Sequence, residues 1–246
     1  MRLTVVGCSG SAPGPASPAS CYLVEHDGYS VLLDLGNGAF GSLLALADPR
    51  SVDAVYLSHL HADHCLDVAP FIVWHRYSGQ SDRRPLPLYA PMGADRRLAL
   101  AYGDDGDPIE DVFDAIPVGA GSWTVGPFEV TTARTAHPVE CYAVRLSAGG
   151  RSLVYTGDTG PCAAVVELAR GADVLLAEAA HPDVEGLPPD LHLTGRQAGE
   201  AAAAAGVGRL LLTHIPAWVD AEAQLAAARA VFGGAELARH ATVHEV

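Results

Sequence analysis

Apolar residues occur along this chain in short runs separated by polar or glycine-containing turns, a pattern that predicts many strands and few long helices. Residues 2–7 and 21–34 predict three strands, and Asp27-Gly28 supplies the tight turn that joins the second strand to the third. The apolar run from Asp53 to Ser58 is long enough for a buried strand and too short for a helix. The rest of this half predicts helices at 39–47, 66–77 and 96–102 and a polar, proline-containing loop at 78–87.

The second half begins with strands and then alternates between helices and strands. Strands dominate from about residue 112 to residue 156, with turns at Val125-Gly126-Pro127 and Ala148-Gly149-Gly150, where glycine permits the turn conformations. The last third predicts helices at 161–169, 194–205 and 221–232 and strands at 173–178, 209–213 and 236–243. Two strand-rich halves, each followed by helices, predict a core of two packed sheets flanked by helices.

The amino-acid composition indicates what class of protein this chain is. Of the 246 residues, 49% are hydrophobic and 18% are charged, which indicates a packed α/β protein rather than a disordered one. No linker-like stretch interrupts the chain, so we expect one domain spanning residues 1–246. The apolar runs are too short to cross a bilayer, and the five scattered cysteines include no C-x-x-C pair. We therefore expect a cytoplasmic protein that is not membrane-bound and has no disulfide framework or thiolate zinc site.

The formal net charge of -14 works against binding an extended nucleic acid, because phosphate contacts need lysine and arginine side chains. A small or locally captured anion is compatible with this charge. Five arginines do lie within one short stretch: Arg76, Arg83, Arg84, Arg96 and Arg97. A solvated loop and helix face is the first interpretation of this stretch, and a basic patch that contacts substrate is the alternative.

A run of three histidines and one aspartate directly follows the strand predicted at 53–58. In the sequence H-L-H-A-D-H, His59 and His61 project from an extended segment towards one ion, and the chain turns at Ala62. Asp63 and His64, at the start of the next helix, can then reach a second ion. The alternative is a solvent-exposed polar turn, but such a dense group of ligand types predicts a site for two divalent metal ions.

Further ligands are expected at the ends of other strands, because a rigid scaffold holds ligand geometry better than a loop does. His137, Asp158 and His214 each follow an apolar run that predicts a strand. Each has an ordinary structural reading when taken alone, and Asp158 could cap a helix. Together with the run at 59–64 they complete two coordination shells. The glycine- and proline-rich segment 7–15 predicts a loop that flanks this site.

These motifs together resemble the metallo-β-lactamase superfamily along the whole chain. The resemblance implies an αββα sandwich of two mixed β-sheets flanked by helices. It also implies two sets of metal ligands with Asp158 bridging them: His59, His61 and His137 on one ion, and Asp63, His64 and His214 on the other. The commonest true β-lactamases have a cysteine where Asp158 stands, which disfavours antibiotic hydrolysis. Zinc is the first expectation, although histidine and carboxylate ligands also accept manganese or iron.

Within the superfamily the chain is similar to the ribonuclease Z branch. The segments Ala177-Glu178-Ala179 and Leu191-His192-Leu193-Thr194 resemble the ribonuclease Z motifs whose glutamate and histidine are assigned to proton transfer. The resemblance implies catalytic roles for His192 as the acid, Glu178 as the residue that orients it, and Asp63 as both metal ligand and orienter of the attacking hydroxide. The alternative for His192 is a loop histidine next to a helix cap at Thr194.

Ribonuclease Z has a long arm that grips tRNA, whereas here Cys141 continues to Asp158 through one tight hairpin. The chain is more similar to the atypical class II cyclic-nucleotide phosphodiesterases of actinobacteria, as seen in residues 6–11, 57–67 and 189–193. This resemblance implies a homodimer that hydrolyses a small phosphodiester, 3′,5′-cyclic AMP, to 5′-AMP. Two ions can form the attacking hydroxide at neutral pH because they lower the pKa of bound water.

Three other functions remain open from the sequence. One is a ribonuclease Z-like tRNA 3′-processing endonuclease, which would need the arginine-rich stretch to do the work of the arm. Another is a thioester or lactone hydrolase on the same fold. The third is a non-enzymatic metal-binding module, which a proton donor next to the ions argues against. The remaining histidines have no motif and are expected to be surface or structural residues: His26, His75, His181, His240 and His244.

Overall fold

The structure is a computed structural model that describes residues 1–79, 84–103, 109–184 and 186–246. Within these residues the strands are β1 (Arg2–Gly7), β2 (Cys21–His26), β3 (Tyr29–Leu33), β4 (Ala54–Tyr56), β5 (Leu86–Ala90), β6 (Phe113–Pro117), β7 (Gly121–Val125), β8 (Phe128–Arg134), β9 (Tyr142–Ala148), β10 (Arg151–Tyr155), β11 (Val174–Glu178), β12 (Arg209–Thr213), β13 (Ala235–Leu237) and β14 (Val243–Glu245). The helices are α1 (Ala39–Leu46), α2 (Ala62–Cys65), α3 (Val68–Tyr77), α4 (Ala94–Tyr102), α5 (Ala163–Ala169), α6 (Gly195–Ala205) and α7 (Ala221–Arg229).

The strands form two mixed sheets of seven strands each among the described residues. The first sheet has the order β14-β1-β2-β3-β4-β5-β6, and the second has the order β13-β12-β11-β10-β9-β8-β7. In each sheet a parallel half, β3 to β6 or β10 to β13, continues an antiparallel half. The two sheets therefore have the same design, and each is built from about one half of the chain, except that β14 joins the first sheet from the second half.

Three apolar clusters define four layers. The central cluster lies between the sheets and joins residues such as Leu3 and Tyr22 of the first sheet to Leu153 and Leu211 of the second. A second cluster lies beneath α1, α3 and α4 on the outer face of the first sheet, and a third lies beneath α5, α6 and α7 on the outer face of the second. This arrangement is the αββα sandwich expected from the sequence. None of the described helices combines the length and apolar character needed to cross a membrane.

Most predicted elements are present, and two differ. Of the segment 78–87, predicted to be a loop, residues 80–83 lie outside the described residues, and the last two residues begin β5, a strand between β4 and β6. The single strand predicted at 236–243 is two strands that belong to different sheets, β13 in the second and β14 in the first. The chain crosses between the sheets at 238–242, where Ala241 has a left-handed backbone conformation with φ of 63°.

Candidate metal centre

The candidate ligands lie at the carboxyl ends of strands from both sheets. In the first sheet, β4 leads into the run that contains His59 and His64. In the second sheet, His137 follows β8, Asp158 follows β10 and His214 follows β12. All seven residues predicted to bind metal meet at one edge of the sandwich, where ligand atoms lie within 4.8 Å of one another in each cluster. Strand ends hold these side chains more rigidly than loop tips would.

The first cluster contains three imidazoles and one carboxylate. His61 presents Nδ1 at 2.9 Å from His59 Nε2 and at 3.3 Å from His137 Nε2. Asp158 Oδ2 lies 3.6 Å from the same His59 nitrogen. Several ring nitrogens with lone pairs repel one another at such distances unless a proton or a cation lies between them. The donor atoms are therefore arranged as a ligand set.

The second cluster faces the other oxygen of the same carboxylate. Asp158 Oδ1 lies 3.2 Å from His64 Nε2 and 3.4 Å from His214 Nε2. Asp63 Oδ2 lies 3.4 Å from His64 Nε2 and 3.7 Å from His214 Nε2. Asp158 thus turns one oxygen to each cluster, which is the arrangement required of a carboxylate that bridges two ions.

A buried aspartate that the sequence analysis missed orients part of this site. Asp34 directly follows β3, and its carboxylate accepts hydrogen bonds from Ser58 N (2.7 Å), Ser58 Oγ (2.8 Å), His64 Nδ1 (2.7 Å) and Tyr155 Oη (2.7 Å). Because the Ser58 hydroxyl donates to Asp34, it can accept from His59 Nδ1 at 3.1 Å. Both imidazoles are thereby left with Nε2 as the nitrogen free to bind a metal.

Two other ligand histidines have the same kind of support. His137 Nδ1 donates to the carbonyl of Leu191 at 3.0 Å, and His214 Nδ1 lies 2.9 Å from the buried hydroxyl of Ser20. Such outer hydrogen bonds fix the ring orientation and the tautomer of a metal-binding histidine. His214 also has a left-handed backbone with φ of 54°, a strained conformation for a residue other than glycine.

Two glycines allow loops to approach the ligand backbone closely. A Cβ atom on Gly10 would lie 2.2 Å from the carbonyl oxygen of His214, and one on Gly36 would lie 2.0 Å from the carbonyl oxygen of Asp63. Only glycine fits at such distances. Gly10 belongs to the segment 7–15, so the loop predicted to flank the site does lie against it.

Three buried atoms of the clusters have no hydrogen-bond partner among the described residues: His64 Nε2, Asp158 Oδ1 and His214 Nε2. An orphaned polar atom in the interior costs free energy comparable to a lost hydrogen bond, and three that face one another call for a shared partner. A divalent cation satisfies all three, so the residues present fit a metal centre. Nitrogen and oxygen donors of this kind accept several divalent metals and do not distinguish among them.

The protonation of the imidazoles is consistent with this assignment. Burial lowers the pKa of His59 well below its ordinary value, and it lowers the pKa of His137 and that of His214, the last to about 4. At neutral pH these three rings are uncharged, which is the form that binds metals.

The carboxylates are ionised for a different reason. Burial raises the pKa of Asp158, but the surrounding imidazoles outweigh burial and hold the pKa well below its ordinary value. The pKa of Asp63 is likewise lowered, because the neighbouring imidazoles outweigh burial. His64 differs from His59, His137 and His214, because Asp158 and Asp34 outweigh burial and raise its pKa. A cation here would compete with the proton on His64.

A glutamate and a histidine form a hydrogen-bonded pair beside the two clusters. Glu178, the last residue of β11, is fully buried and accepts hydrogen bonds from Thr159 N (2.7 Å), Ala180 N (3.2 Å) and His192 Nδ1 (2.9 Å). Burial raises the pKa of Glu178 to about 7. Burial lowers the pKa of His192, but its hydrogen bond to Glu178 outweighs this and raises that pKa to about 9. The pair therefore retains a proton at neutral pH.

The pair lies close to the metal ligands. The ring of His192 is 5.7 Å from the rings of both His137 and His214, measured between centroids. Its Nδ1 atom is 3.9 Å from Asp158 Oδ2. The two residues that the resemblance assigned to proton transfer thus meet the predicted metal ligands in one site.

The arginine-rich stretch and the histidines without a motif are the other residues considered in the sequence analysis. Arg76 forms a close ion pair with Asp111, at 2.7 Å, instead of extending into solvent, and Arg83 lies outside the described residues. His181, expected to be a surface or structural residue, packs with its ring 5.1 Å from that of His192. No sequence motif indicates that His181 lies beside His192, and only the tertiary structure shows it.

Known proteins resemble this chain over nearly its whole length. The family model described as the beta-lactamase superfamily domain matches residues 29–215. An uncharacterized protein of Mycobacterium leprae, ML1173, is 47% identical over 245 residues, covering 95% of this chain and 84% of that protein. The probable metallo-hydrolase YhfI of Bacillus subtilis is 32% identical over 239 residues, covering 95% of each chain. The crystal structure of YhfI matches with a TM-score of 0.88 at 30% identity, covering 100% of this chain and 98% of that one. Ribonuclease BN of Escherichia coli is 28% identical over 312 residues, covering 100% of both.

Proposed function

Since the chain belongs to the metallo-β-lactamase superfamily and has the ligand set of a metal-dependent hydrolase, we propose that it hydrolyses a small phosphodiester, namely 3′,5′-cyclic AMP to 5′-AMP. The observation that supports this reaction most strongly is the Glu178–His192 pair beside the two clusters. An alkyl phosphodiester expels an alkoxide, a poor leaving group that needs a proton as the bond to phosphorus breaks. A thioester expels a thiolate, which needs no such donor.

The two clusters would hold two divalent ions, with Asp158 between them. When bound, the ions supply a water nucleophile at neutral pH and positive charge beside the phosphoryl oxygens. Asp63 has the more exposed of the two ligand carboxylates, with 11% of its side chain accessible against 3% for Asp158. Asp63 can therefore accept a hydrogen bond from the attacking water and orient it towards phosphorus.

His192 completes the reaction on the leaving-group side. Its Nδ1–H is held by Glu178, so its Nε2–H is the proton available to the substrate. As the bond between phosphorus and the 3′-oxygen breaks, that oxygen takes this proton and leaves as a hydroxyl group. The raised pKa of His192 keeps the donor protonated at neutral pH.

A small substrate is favoured over tRNA by charge and by topology. The net charge is -14, and the chain passes from β9 to β10 through a short hairpin at 148–151, where the resemblance places the tRNA-gripping arm of ribonuclease Z. The similarity to ribonuclease BN favours tRNA 3′ processing as the second candidate. That activity would need substrate contacts from the arginine-rich stretch, where Arg76 is already paired with Asp111.

The test is to incubate purified, metal-loaded protein with 3′,5′-cyclic AMP and to separate the products by chromatography. We expect 5′-AMP to be released by the wild type and by His240→Asn, a matched control whose ring bonds to the Val6 carbonyl instead of a catalytic group. Asp63→Ala should be inactive, and His192→Asn should lose roughly 100-fold or more in kcat, as removal of a general acid does. No turnover by protein with a measured metal content would overturn the cyclic AMP assignment, and precursor tRNA would be tested next.

A further inference from the structure

Three imidazoles surround the ring of His192. Two of them, His137 and His214, belong to the metal clusters and have their own hydrogen bonds. The third is His181, whose ring meets that of His192 edge to face, with centroids 5.1 Å apart and an interplanar angle of 81°. No step of the proposed reaction uses His181.

The backbone of His181 is tied to the chain on the far side of His192. Its N–H donates to the carbonyl of Leu193 at 3.0 Å, and it forms an isolated parallel bridge with Thr194. Its carbonyl accepts a hydrogen bond from the buried side chain of Gln224 on α7. The other end of that amide accepts from Gly195 N at the first residue of α6. His181 is therefore fixed in place relative to the segment that carries His192.

The side chain of His181 makes a different contribution from its backbone. Its Nδ1 atom is buried without a hydrogen-bond partner among the described residues. The backbone of His181 is held in place, and Nδ1 of its ring is enclosed and unpaired. The ring therefore acts on His192 through packing rather than through a hydrogen bond.

The orientation of the His192 ring, the proposed proton donor, depends on this packing. The hydrogen bond from Nδ1 to Glu178 fixes one atom of the His192 ring but does not by itself fix the plane of the ring, and His181, at 5.1 Å, is nearer to that ring than His137 and His214 are. A tilt moves Nε2, the atom that would deliver the proton, and displacements of about 1 Å can cost up to about 100-fold in rate. Packing against a fixed ring removes this freedom.

We infer that His181 is a positioning residue: its ring, packed edge to face on His192, holds the plane of the proton donor, and it transfers no proton itself. The inference rests on the proposed function, because it assigns His192 as the leaving-group acid. Any flat ring of similar size should serve, so phenylalanine should replace His181 and alanine should not.

Two substrates separate this role from a general structural one. With 3′,5′-cyclic AMP, which has an alkoxide leaving group, His181→Ala should lower kcat about 10-fold or more with KM nearly unchanged, and His181→Phe should restore it. With bis(p-nitrophenyl) phosphate, whose leaving group needs no proton, both variants should match the wild type. In a His192→Asn background, His181→Ala should cause no further loss. Equal impairment of the alanine and phenylalanine variants would overturn the inference, as would a loss that is the same for both substrates.

A spectroscopic measurement tests the same point without turnover. In the purified protein, the Nδ1–H of His192 should give a proton resonance that is absent from His192→Asn. Its exchange with water should be faster in His181→Ala and unchanged in His181→Phe, because a tilting ring breaks its bond to Glu178 more often. Unchanged exchange in His181→Ala would overturn the inference. If the wild type hydrolyses neither diester, the proposed function fails, and the exchange rates still decide the role of His181.

Discussion

At the scale of single residues, Asp34 carries an unusual concentration of hydrogen bonds, since one buried carboxylate accepts from four donors in Ser58, His64 and Tyr155. Asp34→Asn replaces one of the two acceptor oxygens with an NH2 group, which can donate hydrogen bonds but cannot accept them. We expect the variant to fold but to bind the ion held by His64 about 10- to 100-fold more weakly, as loss of an outer hydrogen bond to a metal ligand typically does. Competition with a chelator of known affinity measures the change.

Asp53→Asn is the matched control for this prediction. Asp53 accepts a backbone hydrogen bond from Ser30 at 2.8 Å, just before β4, at the end of the first sheet opposite the ligands. Asp53→Asn should keep the metal affinity of the wild type, because the carboxylate of Asp53 accepts from a backbone N–H and not from a candidate ligand. Equal metal affinities for Asp34→Asn and the wild type would show that His64 does not depend on Asp34.

The cysteines give a second prediction at this scale. Burial raises the pKa of Cys65 to about 11 and that of Cys141 to about 12, and it also raises the pKa of the fully enclosed Cys21. Thiolate is the reactive form, and it forms only as pH approaches the pKa, so these thiols should resist iodoacetamide at pH 8. The half-buried Cys162 should react first.

Mass spectrometry of the labelled peptides, before and after unfolding in urea, measures this difference. In the unfolded chain all five cysteines should be labelled at similar rates. Rapid labelling of Cys141 in the folded protein would contradict the burial of the strand ends behind the ligands.

The sequence was sufficient to single out the seven candidate ligands that the fold brings together, because each is of a residue type suited to metal binding and lies just after an apolar run. It was not sufficient for the residues that support them. Ser20 and His214 are 194 positions apart, and nothing local in either segment indicates that they meet. Asp34 also follows an apolar strand, as the candidate ligands do. It was missed because no other residue of a metal-binding type lies beside it in the sequence.

At the scale of elements, the helices and hairpins agree with the sequence pattern because their signals are local. The strand β5 was missed because Pro87 lies inside it and a proline normally argues against a strand interior. The side chains of β5 are alternately buried and half-buried, as in a strand, but this alternation arises from the neighbouring strands β4 and β6 and could not be recognised from the sequence. The prediction of one strand at 236–243 was wrong because the pattern of apolar residues does not show that the chain passes from one sheet to the other within this segment.

The loop that flanks the site gives an element-scale prediction. In Gly10→Ala the added Cβ would lie 2.2 Å from the carbonyl oxygen of His214, so either the loop or the ligand must move. We expect a folded protein with at least about 10-fold weaker metal binding or activity, since small displacements of a ligand are costly. Isothermal titration with zinc and the diester assay measure the two effects.

Gly41→Ala is the control for this substitution. Gly41 lies within α1, and a Cβ atom there would meet nothing within 4 Å. The change should stabilise the protein by about 0.5–1 kcal/mol because alanine favours the helix, and it should leave metal binding unchanged. A Gly10→Ala variant that binds metal as well as Gly41→Ala does would show that the loop adapts freely.

At the scale of the whole molecule, the clusters join the two sheets. The run at 59–64 leaves the first sheet, whereas His137, Asp158 and His214 leave the second. An ion that is bound by residues of both sheets can bind only when the two sheets are packed together. Metal binding should therefore stabilise the fold as a whole.

Removal of metal tests this coupling. At a free-ion concentration 1,000-fold above Kd, one bound ion contributes about 4 kcal/mol, which corresponds to roughly 10 °C in Tm for a chain of this size. We expect EDTA, which would remove both ions, to lower Tm by at least that amount in calorimetry, and Asp158→Ala, which lacks the carboxylate shared by the two clusters, to show a much smaller shift. An unchanged Tm after complete removal of the metal, checked by elemental analysis, would argue against the coupling.

The division of the ligands between the two sheets also bears on the order of events when the chain folds. His64 and His214 contact each other across most of the length of the chain. Closing so long a loop has a high entropic cost, so we expect this contact to form late in folding. Contacts made after the rate-limiting step leave the rate of folding unchanged and slow the rate of unfolding. Ions bound by these residues should therefore prolong the lifetime of the folded state without hastening its formation.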